Sequence, residues 1–266
     1  MSTESWAIAA PQTVEITGVG GLSVRLQDGR VDVAVDPEAE HVTLEVAEVG
    51  EKPLQVDRDG DRLRIGYERS MVEAFVARVR SLGSSERAVV RLTVPPGVRV
   101  DVGTIEADAD VSGTAGTVVK TVTGAVRTAG TSGSLYLKSV SGDVAASGHT
   151  GDVSAQVVSG ALALEGALGR VSTSSVSGAV AVTAAGTVPM VSAKSVSGDV
   201  AIRLDEGTPL SLKVRGAAGQ AVVDGEVLPS TTRTLSVDRS ETPTDGRSIA
   251  YVTAAVTSAR VIVSRG

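Results

Sequence analysis

The chain has 266 residues and a formal net charge of -6, long enough for one large all-β domain or two modest ones with a substantial core. Its 25 Lys and Arg against 31 Asp and Glu exclude a general nucleic-acid binder, which needs a concentrated cationic excess to neutralise phosphates. With no Cys there is no disulfide framework, thiol nucleophile or zinc-thiolate site, and with Trp6, Tyr67, Phe75, Tyr136 and Tyr251 as its aromatics the core must be aliphatic.

The opening MSTESWAIAAPQ lacks the charged-then-apolar pattern of an export signal. No later segment approaches the roughly 18 apolar residues of a spanning helix, so a soluble cytoplasmic protein is expected. From residue 13 to 66, short apolar alternations are separated by turn signals. Val24 and Leu26 precede Asp28-Gly29, Val31, Val33 and Val35 precede Asp36-Pro37, and Val42, Leu44 and Val46 follow. Asp59-Gly60 predicts a hairpin joining Leu54 and Val56 to Leu63 and Ile65. Met71, Val72, Phe75, Val76, Val79 and Leu82 recur at three- and four-residue steps and predict one short helix. Met71, Phe75, Val79 and Leu82 would cap an open end of the core or, with the basic edge of Arg69, Arg78, Arg80 and Arg87, meet a partner. A strand over Ala88 to Val94 ends at Pro95-Pro96-Gly97.

A glycine repeat then begins. Gly124, Gly133, Gly142, Gly151, Gly160, Gly169 and Gly178 follow at nine-residue intervals, each with Val or Leu two places later. Val140, Val158 and Val176 recur every eighteen residues, with His149 and Ala167 in the slots between, so the full period is eighteen. This predicts a two-sided parallel β-solenoid with about 18 residues per coil, β-hairpin-rich ends and one helix; an antiparallel repeat β-sandwich is the alternative. The glycines would sit at corners, through a positive φ or a close backbone approach. Between Gly178 and Gly198 the repeat gains two residues around Ala184 to Val188, and Pro189 takes a glycine slot. Leu210, Leu212 and Val214, then Val222, Val227, Leu235 and Val237, and finally Ile249 to Thr253 and Val261 to Val263 continue the short-strand pattern, with a loop over Ser240 to Gly246. The expected organisation is one elongated domain over 1–266, with N-terminal hairpins and helix over 13–100, regular coils over 101–204 and C-terminal strands over 205–266.

The tetrapeptides ending at Gly124, Gly142, Gly160, Gly178 and Gly198 would stack on one another. With Val122, Val140, Val158, Val176 and Val196 turned inward, Ser139, Ser141, Ser159, Ser175, Ser177, Ser195 and Ser197 would form outward hydroxyl ladders beside Lys120, Lys138 and Lys194. Such a lattice would suit a glycan or another repeating surface.

Reactive chemistry is scarce. His41 and His149 have no second nitrogen or sulfur ligand nearby in sequence, and His149 is expected to be structural. Asp57 to Asp61 lacks the distal Glu of a calcium loop and reads as a turn. Asp143, Asp152, Glu165 and Asp199 are the acids between residues 111 and 200, too sparse for the paired carboxylates of glycoside cleavage. No enzyme activity, cofactor or metal is expected.

Leu92-Thr93-Val94-Pro95-Pro96-Gly97, followed by Ser141-Gly142-Asp143-Val144, Gly151-Asp152-Val153 and Ser197-Gly198-Asp199-Val200, resembles a bacterial β-strand-repeat family of unknown function that carries an adhesin label. The resemblance spans nearly the whole chain and implies a β-solenoid-like fold without catalytic residues. The functional expectation is a structural scaffold or protein-interaction module, binding itself or another protein. The alternative is a module recognising a glycan, membrane or protein through the Ser/Thr ladder or the helix.

Overall fold

The computed structural model describes residues 3–67, 86–228, 234–242 and 248–266. The predicted helix of Met71, Phe75, Val79 and Leu82 lies outside the described residues, and within them every regular element is a strand. The chain divides into two compact units, Met1–Thr131 and Ser132–Gly266.

In the second unit the backbone crosses one sheet, turns, and returns through another. β13 (Ser132–Ser139), the second half of β14 (Val144–Val157), the second half of β15 (Leu162–Ser175) and β17 (Met190–Ser195) pair in parallel in the first sheet. The first halves of β14 and β15, β16 (Val180–Ala184) and β18 (Val200–Leu204) pair in parallel in the second. Leu135 lies beside Val153, which lies beside Val171, and Val144 beside Leu162, an interval of eighteen residues each time. The parallel registers exclude the antiparallel sandwich. Beyond the Ala184 to Pro189 insertion the interval becomes twenty, with Val171 beside Val191 and Val180 beside Val200. The extra residues bulge without disturbing the ladder: Ala185 N–H donates to Gly166 C=O at 3.0 Å and Gly186 N–H to Asp205 Oδ2 at 2.6 Å.

Period-two alternation turns one aliphatic row of each strand inward. Leu135, Leu137, Val144, Leu162, Leu164, Val171, Val182 and Ile202 are all buried. Where a coil turns, the backbone of the next lies directly against it. A Cβ on Gly178 would sit 1.9 Å from the Gly160 carbonyl oxygen, so close approach alone requires glycine there. At the opposite corner Gly151 combines a similar clash, 2.2 Å from the Gly133 oxygen, with φ +134. Aspartates complete the corners. Oδ1 of Asp143, Asp152 and Asp199 accepts the N–H of Ala161, Arg170 and Arg260 respectively, each at 2.8 Å, supplying acceptors that the sheet ladders do not provide.

The C-terminal strands do not simply extend the stack. β19 (Leu210–Val223) comes next in sequence after β18, yet β22 (Ala250–Arg265) lies between them in space. It pairs in parallel with β17 and β18 on one edge and with β19 on the other. β21 (Leu235–Ser240) and β20 (Glu226–Val227) run antiparallel along the remaining edge of β19. An ion cluster fixes the inserted strand: Arg265 pairs with Asp224 and, at 2.7 Å, with Glu241, and also donates to Thr208 C=O at 3.2 Å. Burial pushes the Glu241 carboxyl up, but the Arg265 hydrogen bond, the Leu210 N–H and the charges of Arg265 and Arg239 outweigh it and hold it below the ordinary 4.5.

The first unit is built on the same plan. One sheet runs β1 (Thr3–Ile8), β6 (Leu54–Asp59), β7 (Arg62–Gly66), β3 (Gly21–Leu26), β9 (Arg99–Thr104), β11 (Ala115–Thr121). The other runs β2 (Gln12–Ile16), β5 (Val42–Val49), β8 (Arg87–Val94), β4 (Asp28–Val35), β10 (Asp108–Ser112), β12 (Val126–Ala129). Pairing from β7 to β11 and from β8 to β12 is parallel, so the coils begin at Gly21 rather than near residue 101. The predicted Asp59-Gly60 hairpin is present as β6–β7, but Asp28-Gly29 carries the chain from one sheet to the other instead of folding β4 onto β3. A turn signal records a change of direction and does not say which strand supplies the next hydrogen bonds. Here too an early coil, β3 and β4, lies between two later ones.

Gly178→Ala should therefore cost about 2 kcal/mol or more, read as a lowered denaturation midpoint, because the obstructing atom is backbone and the corner must open. Glu241→Gln should destabilise the protein at neutral pH. Because folding lowers the Glu241 pKa, its contribution is complete above the unfolded value of 4.5 and fades as pH falls through the lower folded value. Melts of wild type and variant should accordingly converge in acid, and a difference independent of pH would contradict this assignment.

Candidate contact surface

The corner formed by the SVSG tetrapeptides is where residues with contact potential are concentrated, and its facing is the reverse of the sequence expectation. Ser139, Ser175 and Ser195 are 1%, 3% and 4% exposed, whereas Val140, Val158, Val176 and Val196 are 40%, 43%, 46% and 46% exposed. The reason lies in the preceding strand. Leu135 and Leu137 face the core, and unbroken alternation carries Ser139 inward and Val140 outward. Hydrophobicity favours the opposite arrangement, but the inward serines each donate to a corner carbonyl: Ser139 Oγ to Gly142 C=O at 2.6 Å, Ser175 Oγ to Gly178 C=O at 2.5 Å, and Ser195 Oγ to Gly198 C=O. A valine in those slots leaves the carbonyl without that donor, as Val157 does in one coil.

Ser141, Ser159, Ser177 and Ser197 are exposed, as expected. The last three are not free lattice donors. Their hydroxyls bond back to the previous coil, to Val140, Val158 and Val176 C=O at 3.1, 3.2 and 3.1 Å. Lys138 and Lys194 stand in one exposed row with Gln156 and Ser174 between them, about 14 Å apart at the strand spacing. Lys120 lies in the first unit on β11, beside Gly103.

The exposed valines are continuous with a feature that sequence reading passed over. Ala145, Ala163, Ala181 and Ala201 lie side by side on the outer face of the second sheet, and Ala161 and Ala179 lie between that row and the valines; all six are exposed. Valine and alanine rows at strand spacing thus form a low, regular surface, with the row of Ser141, Ser159, Ser177 and Ser197 between them. Its signal was present in the sequence as Ala three places after Gly142, Gly160, Gly178 and Gly198. The valine row has Lys138 and Lys194 on one side, and on the other Asp143 and Asp199, which stand at the two ends of the row that holds Ala161 and Ala179.

Reactive groups do not gather here. His149 is fully buried at the opposite corner, and His41 lies 3.6 Å from Glu15. Among the described residues no three His, Cys, Asp or Glu side chains are grouped closely enough to hold a metal ion.

Two adjacent substitutions separate the facings. Ser175→Lys would bury an ammonium group and should cost about 3 kcal/mol or more, or prevent folding. Val176→Lys projects into solvent and should stay within about 0.5 kcal/mol of wild type. Equal melting temperatures for the two variants would refute the inward serine.

Solved structures similar to this chain include a "putative adhesin" from Bacteroides fragilis, at 9% identity and TM-score 0.47 over 99% of this chain and 97% of that one. A "putative lipid binding protein" from Parabacteroides distasonis is similar at 12% identity and TM-score 0.47, over 98% of each chain. A "putative adhesin" from Parabacteroides merdae is similar at 11% identity and TM-score 0.38, over 97% of this chain and 95% of that one. No curated protein matches significantly. The parallel coils, the corner glycines and a family match across residues 21–258 lead to one assignment: the chain belongs to the Toastrack DUF4097 family, a domain of unknown function.

Proposed function

We propose that this protein is a non-catalytic scaffold, a two-sided solenoid whose working surface is the valine-alanine strip and whose partner is a second copy of the same chain. The observation that carries this reading is the exposed row Val140, Val158, Val176, Val196, four large apolar side chains turned to solvent at a corner where serine takes the buried place. A row of identical residues at constant spacing is complementary to itself. A two-fold axis parallel to the stack sets Lys138 and Lys194 of one copy toward Asp143 and Asp199 of the other while valine meets valine. The strip is small beside the roughly 800 Å² per partner of a stable interface, so the association is reversible and concentration-dependent.

Sedimentation velocity across a wide concentration range tests it. Wild type should shift from monomer to dimer, Val158→Ser with Val176→Ser should remain monomeric, and Asp199→Lys should weaken association until paired with Lys194→Asp. A wild type that stays monomeric throughout, or a serine variant that associates equally well, would overturn the reading.

A further inference from the structure

The first unit carries an open groove of about 820 Å³ along the outer face of its first sheet. Its floor and walls follow from strand register. Arg62 on β7, Gly21 on β3 and Arg99 on β9 lie side by side in one row, and Arg64 and Ser23 lie side by side two residues further along. Alternation turns all five to the outer face. Gly21 has no side chain and Ser23 a short one, so β3 is a trench one strand wide between arginine-bearing neighbours.

The arginines of this groove are not locked in ion pairs among the described residues, although Asp59 and Asp57 stand across β6–β7 from Arg62 and Arg64. Several other arginines of the unit are matched: Arg25 with Asp101 at 2.8 Å, Arg30 with Asp32 and Asp110 at 2.7 Å each, Arg91 with Glu45 at 2.9 Å, and Arg87 near Asp28 and Glu48 at 3.9 and 3.7 Å. Among the described residues Arg62, Arg64 and Arg99 have no carboxylate within ion-pairing distance, and Arg62, Arg64 and Arg99 are exposed. Two acids also line the groove. Asp101 is already answered by Arg25, and Asp61 lies beside the three guanidinium groups without an ion pair among the described residues.

We infer that this groove binds a phosphate-type oxyanion, held between Arg62 and Arg99 across Gly21 with Arg64 and the Ser23 hydroxyl as further donors. Planar guanidinium forks favour bidentate contact with such oxygens, and the trench admits them without a side chain in the way. The anion is either free in solution or the headgroup of an anionic lipid, and the same donors serve both.

The experiment uses the full chain at low ionic strength. Pyrophosphate is titrated by calorimetry, and vesicles of phosphatidylcholine with or without phosphatidylglycerol are tested by co-sedimentation. Arg62→Gln with Arg99→Gln is compared with wild type and with Arg170→Gln, an exposed arginine of the second unit. Saturable pyrophosphate binding that falls on the order of tenfold or more in the double variant, but not in Arg170→Gln, supports a soluble oxyanion. Loss of vesicle binding in the double variant, without a pyrophosphate response, supports a lipid headgroup. No binding of either probe, or binding that the double variant retains, overturns the inference. Unliganded melts of the variants should match wild type because these side chains make no ion pair among the described residues, and a double variant that fails this check is replaced by Arg64→Gln. The outcome is independent of self-association, which depends on residues of the second unit.

Discussion

Coils stacked one strand spacing apart, about 4.8 Å, leave no room for a side chain where the backbone of one turn passes over the carbonyl of the turn before it. That contact governs most of the second unit. It accounts for Gly178 over Gly160, fixes where each coil turns, and thereby sets which residues fall before and after the corner. Once the glycine is placed, Ser175 is inward and can serve the corner carbonyl, Val176 is outward, and Ser177 can bond the coil below. The exposed valine is thus a consequence of backbone accommodation rather than a failure of hydrophobic burial. Inward serine satisfies a buried acceptor whose loss would cost about 1–3 kcal/mol, comparable with the gain from burying one valine.

Both units depart from a simple nearest-neighbour stack in the same way. A repeat protein whose coils touch only their sequence neighbours can fray inward from either end. Here β22, last in sequence, lies between β18 and β19, and β3 with β4 lies between coils formed by later residues. The terminal coil of the second unit cannot peel away unless the inserted strand breaks both its ladders, and Arg265 with Asp224 and Glu241 anchors that strand at its end. Antiparallel β20 and β21 then occupy the edge that β19 would otherwise present. These long-range pairings add loop-closure cost during folding and make the finished unit more cooperative.

The two candidate surfaces use the outer faces differently. In the second unit the outer face beyond the corner carries the row Ala145, Ala163, Ala181 and Ala201, small and uncharged. In the first unit the outer rows are largely charged and mostly self-neutralised across strands, as in Glu45–Arg91 and Arg30–Asp110. A break in such a neutralised field stands out, and Gly21 marks the place where it opens into a groove.

Periodicity alone determined a good deal. Glycines nine residues apart and valines eighteen apart specify strand length, corner position and coil length, because each is a local property of a chain that must turn at fixed intervals. Facing at the corner was misjudged because the inward choice depends on a hydrogen bond to Gly142, Gly178 or Gly198, whereas the alternation from Leu135 and Leu137 already pointed the right way. The roles of Asp143, Asp152 and Asp199 were hidden for a related reason: their partners, the N–H groups of Ala161, Arg170 and Arg260, belong to a neighbouring coil. What the sequence by itself determined was the repeat, its period and its strands, since these follow from local backbone geometry and alternation. The order of coils at each end, the parallel pairing of β3 with β7 and β9 and of β4 with β8 and β10, and the conjunction of Arg62, Gly21 and Arg99 came only with the tertiary structure. Those depend on hydrogen bonds between segments far apart in the chain, for which a single sequence carries no periodic signal.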